Sequence, residues 1–303
     1  MESNETSRLS TTARAQGGVL LGRQTRALIG RASLAAALRR GLVTSIWHGA
    51  YATGPITLES CLKAAELTLG GPARPCLDTA AEIYGFDLSG GTSLHLLAHR
   101  DFASKRSELV LHRIDPLAPL VEVRGRPTMD PVETAVRVAA GFRGPSAAPR
   151  SLAVLDAALA SGAVDTAGAL ACFADAVTLR GIRQVRDVAD WADGRAESPR
   201  ESWLRWLFLQ AGFPPPMLQW RVEPRPGRWY RLDLAWPAYK VGCEYDGVAF
   251  HTGEALWNDR ARLNDVLGDG WLMTMVTNSM LTQGPAQVLG QVGGMLRSRG
   301  ASW

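Results

Sequence analysis

Two neighbouring segments near the end of the chain alternate apolar and polar positions with a period of two. Residues 231–236 and 239–245 are therefore predicted to be short strands, with a turn at the Pro-Ala pair between them. Asp233 interrupts the first segment, while Glu244 and Asp246 stand two positions apart at the end of the second. Because side chains two positions apart share one face of a strand, Glu244 and Asp246 are predicted to point the same way.

If these strands are neighbours in one sheet, the carboxylates of Asp233, Glu244 and Asp246 converge on one spot. Like charges this close are costly unless a cation stabilises them. Oxygen ligands suit Mg²⁺ or Mn²⁺, so we predict a metal site formed by these three residues. The alternative is an acidic hairpin at a solvated sheet edge.

The segments around this hairpin predict further regular structure. Ser198 is expected to cap a helix that has Pro199 and Glu201 in its first turn and stops at Gly212. A second helix follows the hairpin, and residues 271–277 then form an apolar strand.

At the other end of the chain, residues 23–29 and 33–40 form short amphipathic segments, each followed by a glycine. Residues 42–46 and 50–53 then predict a β-hairpin. Helices followed by a hairpin are typical of a winged helix-turn-helix, in which residues 33–40 would be the recognition helix.

The middle of the chain, residues 58–195, predicts mostly helices, with strands at residues 94–97 and 109–112. It contains no pattern of catalytic residues. We therefore predict an α+β multidomain protein. Its domains would be a winged helix-turn-helix at 1–57, an α/β scaffold at 58–195, and a mixed sheet flanked by helices at 196–303.

Positive charge is concentrated near the beginning of the chain. The net charge is +4, and residues 6–58 contain seven arginines but no Asp or Glu. A compact basic segment is the electrostatic footprint of a module that binds the phosphates of double-stranded DNA. Phosphate contacts position such a module without reading the base sequence. The candidate DNA-binding residues are Arg23, Arg26, Arg31, Arg39 and Arg40.

The cysteines and the apolar runs indicate the cellular compartment. Four cysteines are scattered without the spacing of a metal site or a disulfide framework. No apolar run reaches the length of about 18 residues that a membrane span needs, and the first residues lack a signal-peptide pattern. We predict a cytoplasmic protein that does not enter a membrane.

The C-terminal pattern resembles the PD-(D/E)XK nuclease superfamily and, within it, the very-short-patch-repair endonucleases. Those proteins have an Arg-x-Asp strand, a Pro-x-Tyr-basic turn, an apolar strand, a glycine and a nearby histidine. The matching residues are Arg231, Asp233, Pro237, Tyr239, Lys240, Gly247 and His251. The resemblance implies a restriction-endonuclease-like fold in which Asp233 and Glu244 bind Mg²⁺ or Mn²⁺. The superfamily usually has lysine two residues after the second acid, where this chain has Asp246. Asp246 is then a third ligand or a residue that positions the attacking water.

The same resemblance implies roles for residues outside the hairpin. Glu201 either faces the metal or only caps its own helix. His251 acts as a general base or orients water, or has a structural role. Asp259 and Arg262 lie one helical turn apart, and they form either a surface ion pair or contacts to the site and to phosphate.

The N-terminal pattern resembles the AbiEi-type antitoxins and related regulators, whose wing ends in Gly-x-Tyr, here Gly49-Ala50-Tyr51. The middle segment resembles their second domain, which is a scaffold.

Two functions follow from these resemblances. The first is a DNA-binding protein with a divalent-metal-dependent endonuclease domain. The second is a transcription regulator of a toxin–antitoxin system, with an inactive nuclease-like domain. A cognate toxin and a second copy of the chain, in a homodimer, are the protein partners that these interpretations allow. A purely structural interaction protein is a third reading, which the arginine-rich segment disfavours.

Overall fold

The computed structural model describes residues 2–88, 93–98, 106–247 and 254–303. His251, one of the predicted site residues, lies outside the described residues. Asp259 lies within a described helix, but its side chain is outside the description, as is that of Arg31.

The chain divides into two units. The first is Met1–Ile83 with Ser89–Thr134, and the second is Tyr84–Leu88 with Ala135–Trp303. The predicted domain boundaries near residues 57 and 195 remain predictions.

Helices and strands alternate irregularly along the chain. The helices are α1 (Glu2–Ala15), α2 (Gly22–Arg39), α3 (Leu58–Leu69), α4 (Leu77–Ile83), α5 (Pro131–Gly141), α6 (Ala147–Ala160), α7 (Ala167–Ala176), α8 (Ile182–Ala189), α9 (Pro199–Gln210), α10 (Glu254–Gly268), α11 (Asn278–Gln283) and α12 (Pro285–Ser298). The strands are β1 (Val19–Leu21), β2 (Thr44–Trp47), β3 (Ala50–Ala52), β4 (Leu94–Leu97), β5 (Leu109–His112), β6 (Val121–Val123), β7 (Arg126–Thr128), β8 (Met217–Arg225), β9 (Arg228–Trp236), β10 (Val241–Asp246) and β11 (Leu272–Thr277).

A small antiparallel sheet organises the beginning of the first unit. β3 lies between β1 and β2 and pairs antiparallel with both. The predicted hairpin of β2 and β3 is present, and its turn uses Gly49 at φ 88°, which glycine adopts without strain. Gly30, at φ 76°, interrupts α2, so this helix consists of two pieces, as the glycine-punctuated pattern indicated. The apolar core here contains Leu9, Leu20, Ile29, Leu34 and Tyr51.

The remainder of the first unit contains two short sheets beside α3. β4 and β5 pair in parallel, and β6 and β7 form an antiparallel hairpin. Arg126 of β7 is buried and donates to both carboxylate oxygens of Glu59, at 2.6 and 2.8 Å, and to Glu66 at 2.7 Å. Because all three charges are paired, this network ties α3 to the β6–β7 hairpin.

The second unit is built on a four-stranded sheet with the order β11-β10-β9-β8. β9 is antiparallel to β8 and to β10, whereas β10 and β11 are parallel and are joined through α10. The second predicted strand begins at Val241 rather than at Tyr239. The reason is local: Pro237–Tyr239 form one turn of 3₁₀ helix, and Lys240 at φ 49° completes the reversal.

Helices cover both faces of this sheet. On one face, α9, α11 and α12 pack against the strands through a core that includes Leu204, Phe208, Leu234, Val276 and Val292. On the other face, Val266 of α10 packs with Val222, Leu232, Ala235 and Trp271. The predicted α+β class is therefore confirmed, while the winged-helix and nuclease-like interpretations remain predictions.

Within the described ranges, every helix is too short or too polar to pass through a lipid bilayer.

Candidate active site

The candidate site lies where β9 and β10 stop pairing. The last antiparallel pair joins Cys243 to Leu234. Glu244 and Asp233 are the next residues beyond this last pair. There the backbone N–H of Tyr245 donates to the Oδ2 of Asp233 at 2.9 Å. A carboxylate thus takes the place of a main-chain acceptor, and it is fixed at the point where the strands separate.

A cleft of about 630 Å³ opens beside this point on the α10 face of the sheet. Among the residues with described side chains, its charged lining residues are Asp233, Glu244, Asp246, Arg231, Arg260 and Arg262. The structure therefore brings the three predicted carboxylates into one cleft. It also adds three arginines, so the cleft contains both signs of charge.

Asp233 is half-buried, and burial raises the pKa of its carboxyl group above the ordinary value. The hydrogen bond from Tyr245 and the positive charges of Arg262 and Arg231 act in the opposite direction, while Glu197 raises the pKa further. Net elevation means that a proton is held more readily here than on an exposed aspartate.

Glu244 is buried, with 5% of its surface exposed. Nη2 of Arg262, on α10, forms an ion pair with its Oε1 and donates a second hydrogen bond to the backbone carbonyl of Arg231 at 3.2 Å. Asp246 is exposed at the end of β10. The two acids of β10 therefore differ in environment: one is buried and paired, and the other is open to the cleft.

Glu201 is not among the residues that line the cleft. It caps the start of α9. Its carboxylate accepts hydrogen bonds from the hydroxyl of Ser198 at 2.8 Å, the backbone N–H of Glu197 at 3.0 Å and the side chain of Gln219 at 2.8 Å. The hydroxyl of Ser198 in turn accepts from the backbone N–H of Glu201, which confirms the predicted helix start. Burial raises the pKa of Glu201, and the negative charge of Asp233 raises it further.

The donors of the cleft determine whether it suits a divalent cation. Among the residues with described side chains, no group of three His, Cys, Asp or Glu is close enough to hold a metal ion. Mg²⁺, however, commonly binds proteins through one or two carboxylates and completes its shell with water and substrate phosphate. Asp233 and Glu244, each next to the last paired residue of its strand and both lining one cleft, are a donor pair of that kind. The donor chemistry therefore fits Mg²⁺ or Mn²⁺ as a two-carboxylate site.

Comparison with known proteins gives relatives but no family model, since no such model matches the chain. Two proteins of Mycobacterium tuberculosis, "Uncharacterized protein Rv2248" of strain H37Rv and "Uncharacterized protein MT2308" of strain CDC 1551, are each 32% identical to it over 264 residues. The matched region covers 86% of this chain and 95% of each relative. The chain belongs to their family. The names of these relatives state no activity.

The predicted DNA-binding arginines are spread along α2. The side chains of Arg23, Arg26, Arg39 and Arg40 are exposed, with the first two before the break at Gly30 and the last two at the end of the helix. Exposure is the condition for contact with phosphate, and these positions satisfy it.

The sequence patterns missed the cationic side of the cleft. Arg260 and Arg231 were not expected to line it together, and Arg262 was left between a surface role and a role in the site. One sequence signal could have indicated that Arg262 faces the sheet. Arg262 and Asp265 are three residues apart, which places both on one face of the helix. Asp265 attaches that face to β9, because it accepts a hydrogen bond from the hydroxyl of Tyr230 at 2.8 Å and pairs with Arg228 at 3.0 Å.

Proposed function

We propose that the protein binds double-stranded DNA and that its C-terminal region, residues 196–303, is a divalent-metal-dependent endonuclease of the PD-(D/E)XK type. The observation that carries this proposal is the cleft at the separation of β9 and β10. It is lined by Asp233, Glu244 and Asp246 together with three arginines. Such a mixture suits a phosphodiester, because the substrate is anionic and its hydrolysis needs a held cation and an activated water.

The residues that line the cleft would have different roles in the reaction. Asp233 and Glu244 would hold Mg²⁺ or Mn²⁺, which when bound polarises the phosphate and lowers the pKa of a coordinated water. Arg260 and Arg262 would pair with the phosphate oxygens, since guanidinium groups bind phosphate with two parallel hydrogen bonds. Asp246, exposed to the cleft, would accept a hydrogen bond from the attacking water and so orient it.

The N-terminal elements support the DNA-binding part of the proposal. A broken helix followed by a β-hairpin within a three-stranded antiparallel sheet has the element order of a winged helix-turn-helix. The exposed arginines of α2 would neutralise backbone phosphates, and this term dominates affinity for duplex DNA. The second piece of α2 would enter the major groove.

A regulator or antitoxin with an inactive nuclease-like unit is the second candidate. It is favoured by two observations: Glu244 is already paired with Arg262, and Asp246 occupies the usual lysine position. In that case the cleft binds DNA without cutting it, and a toxin protein or a second copy of the chain is the functional partner.

The deciding experiment is a nicking assay on supercoiled, linear and mismatched DNA with Mg²⁺ or Mn²⁺. We expect the wild type to cut and Asp233→Asn to be inactive, with unchanged duplex binding in fluorescence polarisation without added metal, because the exposed arginines of α2 are distant in sequence from the acids. If the wild type cuts none of these substrates while it binds DNA, the endonuclease proposal fails and the regulator takes its place.

A further inference from the structure

Arg262 forms an ion pair with Oε1 of Glu244, one of the two carboxylates proposed to hold the metal. We infer that Arg262 is a counter-ion that substrate displaces: it neutralises Glu244 until a DNA phosphate takes the guanidinium, and only then does Glu244 accept a divalent metal. Metal and DNA would consequently bind with positive cooperativity. This inference rests on the proposed endonuclease function and adds a role for Arg262 to it.

The burial of Glu244 makes a counter-charge necessary. A carboxylate with 5% of its surface exposed is costly when it is ionised and unpaired. Arg262 supplies a counter-charge through its ion pair with Oε1 of this carboxylate. Metal and guanidinium are both cations and therefore compete for the negative charge of one carboxylate, so removing the guanidinium should strengthen the binding of a cation there.

The arginine can change partners without movement of its helix. α10 is fixed to the β8–β9 strands by Asp265, which pairs with Arg225 at 2.7 Å and Arg228 at 3.0 Å and accepts from Tyr230. The side chain of Arg262 is itself one-third exposed, at 33%, and lines the open cleft. Its other bond, to the carbonyl of Arg231, is a single contact of 3.2 Å at an exposed position. A rotation of the side chain is then sufficient.

A phosphodiester is the ligand that draws the side chain away. Guanidinium groups form bidentate, charge-assisted bonds with phosphate, and a metal on Glu244 would replace the charge that the carboxylate loses. The exchange conserves ion pairing on both carboxylate and arginine. Because binding linkage is reciprocal, DNA tightens metal binding by the factor by which metal tightens DNA binding at this site.

Direct measurement of Mn²⁺ binding tests the inference without relying on cleavage. Free Mn²⁺ is followed by electron paramagnetic resonance as it is titrated into the full chain, with and without a saturating duplex oligonucleotide. The Mn²⁺ bound in the presence of the Glu244→Gln variant is the background, which comes from DNA and from the rest of the protein. We expect DNA to raise the wild-type Mn²⁺ affinity about tenfold, within the usual range of coupling between two sites.

Substitutions at Arg262 should separate the ion pair from general charge. Arg262→Gln is expected to bind Mn²⁺ about tenfold more tightly than wild type without DNA, and to gain little when DNA is added. Arg260→Gln removes the same charge from the same cleft but leaves the Arg262–Glu244 ion pair in place, so without DNA it should bind Mn²⁺ as weakly as wild type. Arg262→Lys keeps a counter-charge for Glu244 and should keep weak binding without DNA. It also guards against misfolding of the glutamine variant.

Two results are distinguishable from each other. If Arg262→Gln and wild type bind Mn²⁺ equally without DNA, or if Arg260→Gln reproduces the full effect, the role of Arg262 is overturned while the metal site stands. If neither wild type nor Arg262→Gln binds Mn²⁺ above the Glu244→Gln level, even with DNA, the metal-dependent function itself is wrong, and the inference is wrong with it.

Discussion

Nη2 of Arg205 donates to both carboxylate oxygens of Asp156 at 2.6 Å, and both side chains are almost completely buried. The pair joins α6 to α9, the helix whose first turn contains Glu201. Asp156 also accepts from the backbone N–H of Asp193 at 2.8 Å. The ion pair therefore fixes the helix that lies behind the candidate site.

Arg205→Met should strongly destabilise the protein. The variant leaves the carboxylate of Asp156 buried without its counter-charge, and breaking a buried pair in this way costs about 3–5 kcal/mol. The double variant Asp156→Leu/Arg205→Met, which removes both charges, should recover most of that loss. Urea unfolding followed by tryptophan fluorescence gives both values. Equal stability of the single variant and the wild type would contradict the importance of the pair.

Glu201 should contribute to stability rather than to metal binding. Glu201→Ala removes the partner of Ser198 at the helix start and is expected to lower the free energy of unfolding by about 1 kcal/mol. Glu201→Gln keeps the capping geometry and should leave both stability and Mn²⁺ affinity near the wild-type values. Loss of Mn²⁺ binding in Glu201→Gln would instead make Glu201 a ligand.

Local sequence signals were sufficient for much of this region. The Ser-Pro-Arg-Glu start of α9, the Asp233 strand and the acids of β10 are each encoded within a few residues, and the structure has them in the expected order. β8 was not predicted, because Gln219 at φ 50° interrupts its alternation and Pro224 lies near its end. The helix cap and the period-two alternation are both short-range signals. A break within a strand, as in β8, disrupts the alternation, and the strand is then not recognised from the sequence.

Contacts between distant residues could not be obtained from those signals. Arg262 and Glu244 come together only because α10 folds back over β10, and that packing depends on Leu232, Val266 and Trp271. Arg126 is a similar case, since its partners on α3 lie far earlier in the chain. Charge pairing of this kind follows from the tertiary fold and has no local pattern of its own.

Arg39→Ala/Arg40→Ala should weaken binding to duplex DNA and flatten its dependence on salt. Each lost phosphate contact is expected to reduce the slope of log affinity against log salt by about 0.9, so the double variant should lose roughly 1.8. Arg180→Ala/Arg183→Ala removes the same charge from exposed positions in the second unit and is the matched control. Fluorescence polarisation at several salt concentrations gives the slopes. Identical slopes for the two double variants would argue against an N-terminal DNA interface.

The stability of the first unit should decrease in mild acid. Nε2 of His112 lies 2.9 Å from Nδ1 of His95, and burial together with the neighbouring histidine lowers the pKa of His112. The unfolded chain then binds the proton more readily than the folded one, so stability present above about pH 6.5 is lost as the pH falls through and below that value. His112→Gln should reduce this loss while matching the trend of the wild type at higher pH. Thermal unfolding midpoints measured from about pH 8 to about pH 5 test the sign, and a midpoint that rises on acidification would contradict it.

Asp246→Lys restores the residue usual in the superfamily, and we expect it to reduce nicking rather than improve it. The cleft is already lined by Arg260, in addition to Arg231 and Arg262, which are paired with Glu197 and Glu244, so a positive charge of the kind that a lysine would supply is present. An added ammonium group would compete with the metal for Glu244 and would remove the oxygen proposed to orient the water. A loss of about a hundredfold, equivalent to about 2.7 kcal/mol in the barrier, is the expected size.

Asp246→Asn separates the two causes, because it removes the acceptor charge without adding a cation. It should cut more slowly than wild type and faster than Asp246→Lys. If Asp246→Lys instead nicks plasmid faster than wild type, Asp246 marks a weakened site, and the water-orienting role proposed for it is wrong.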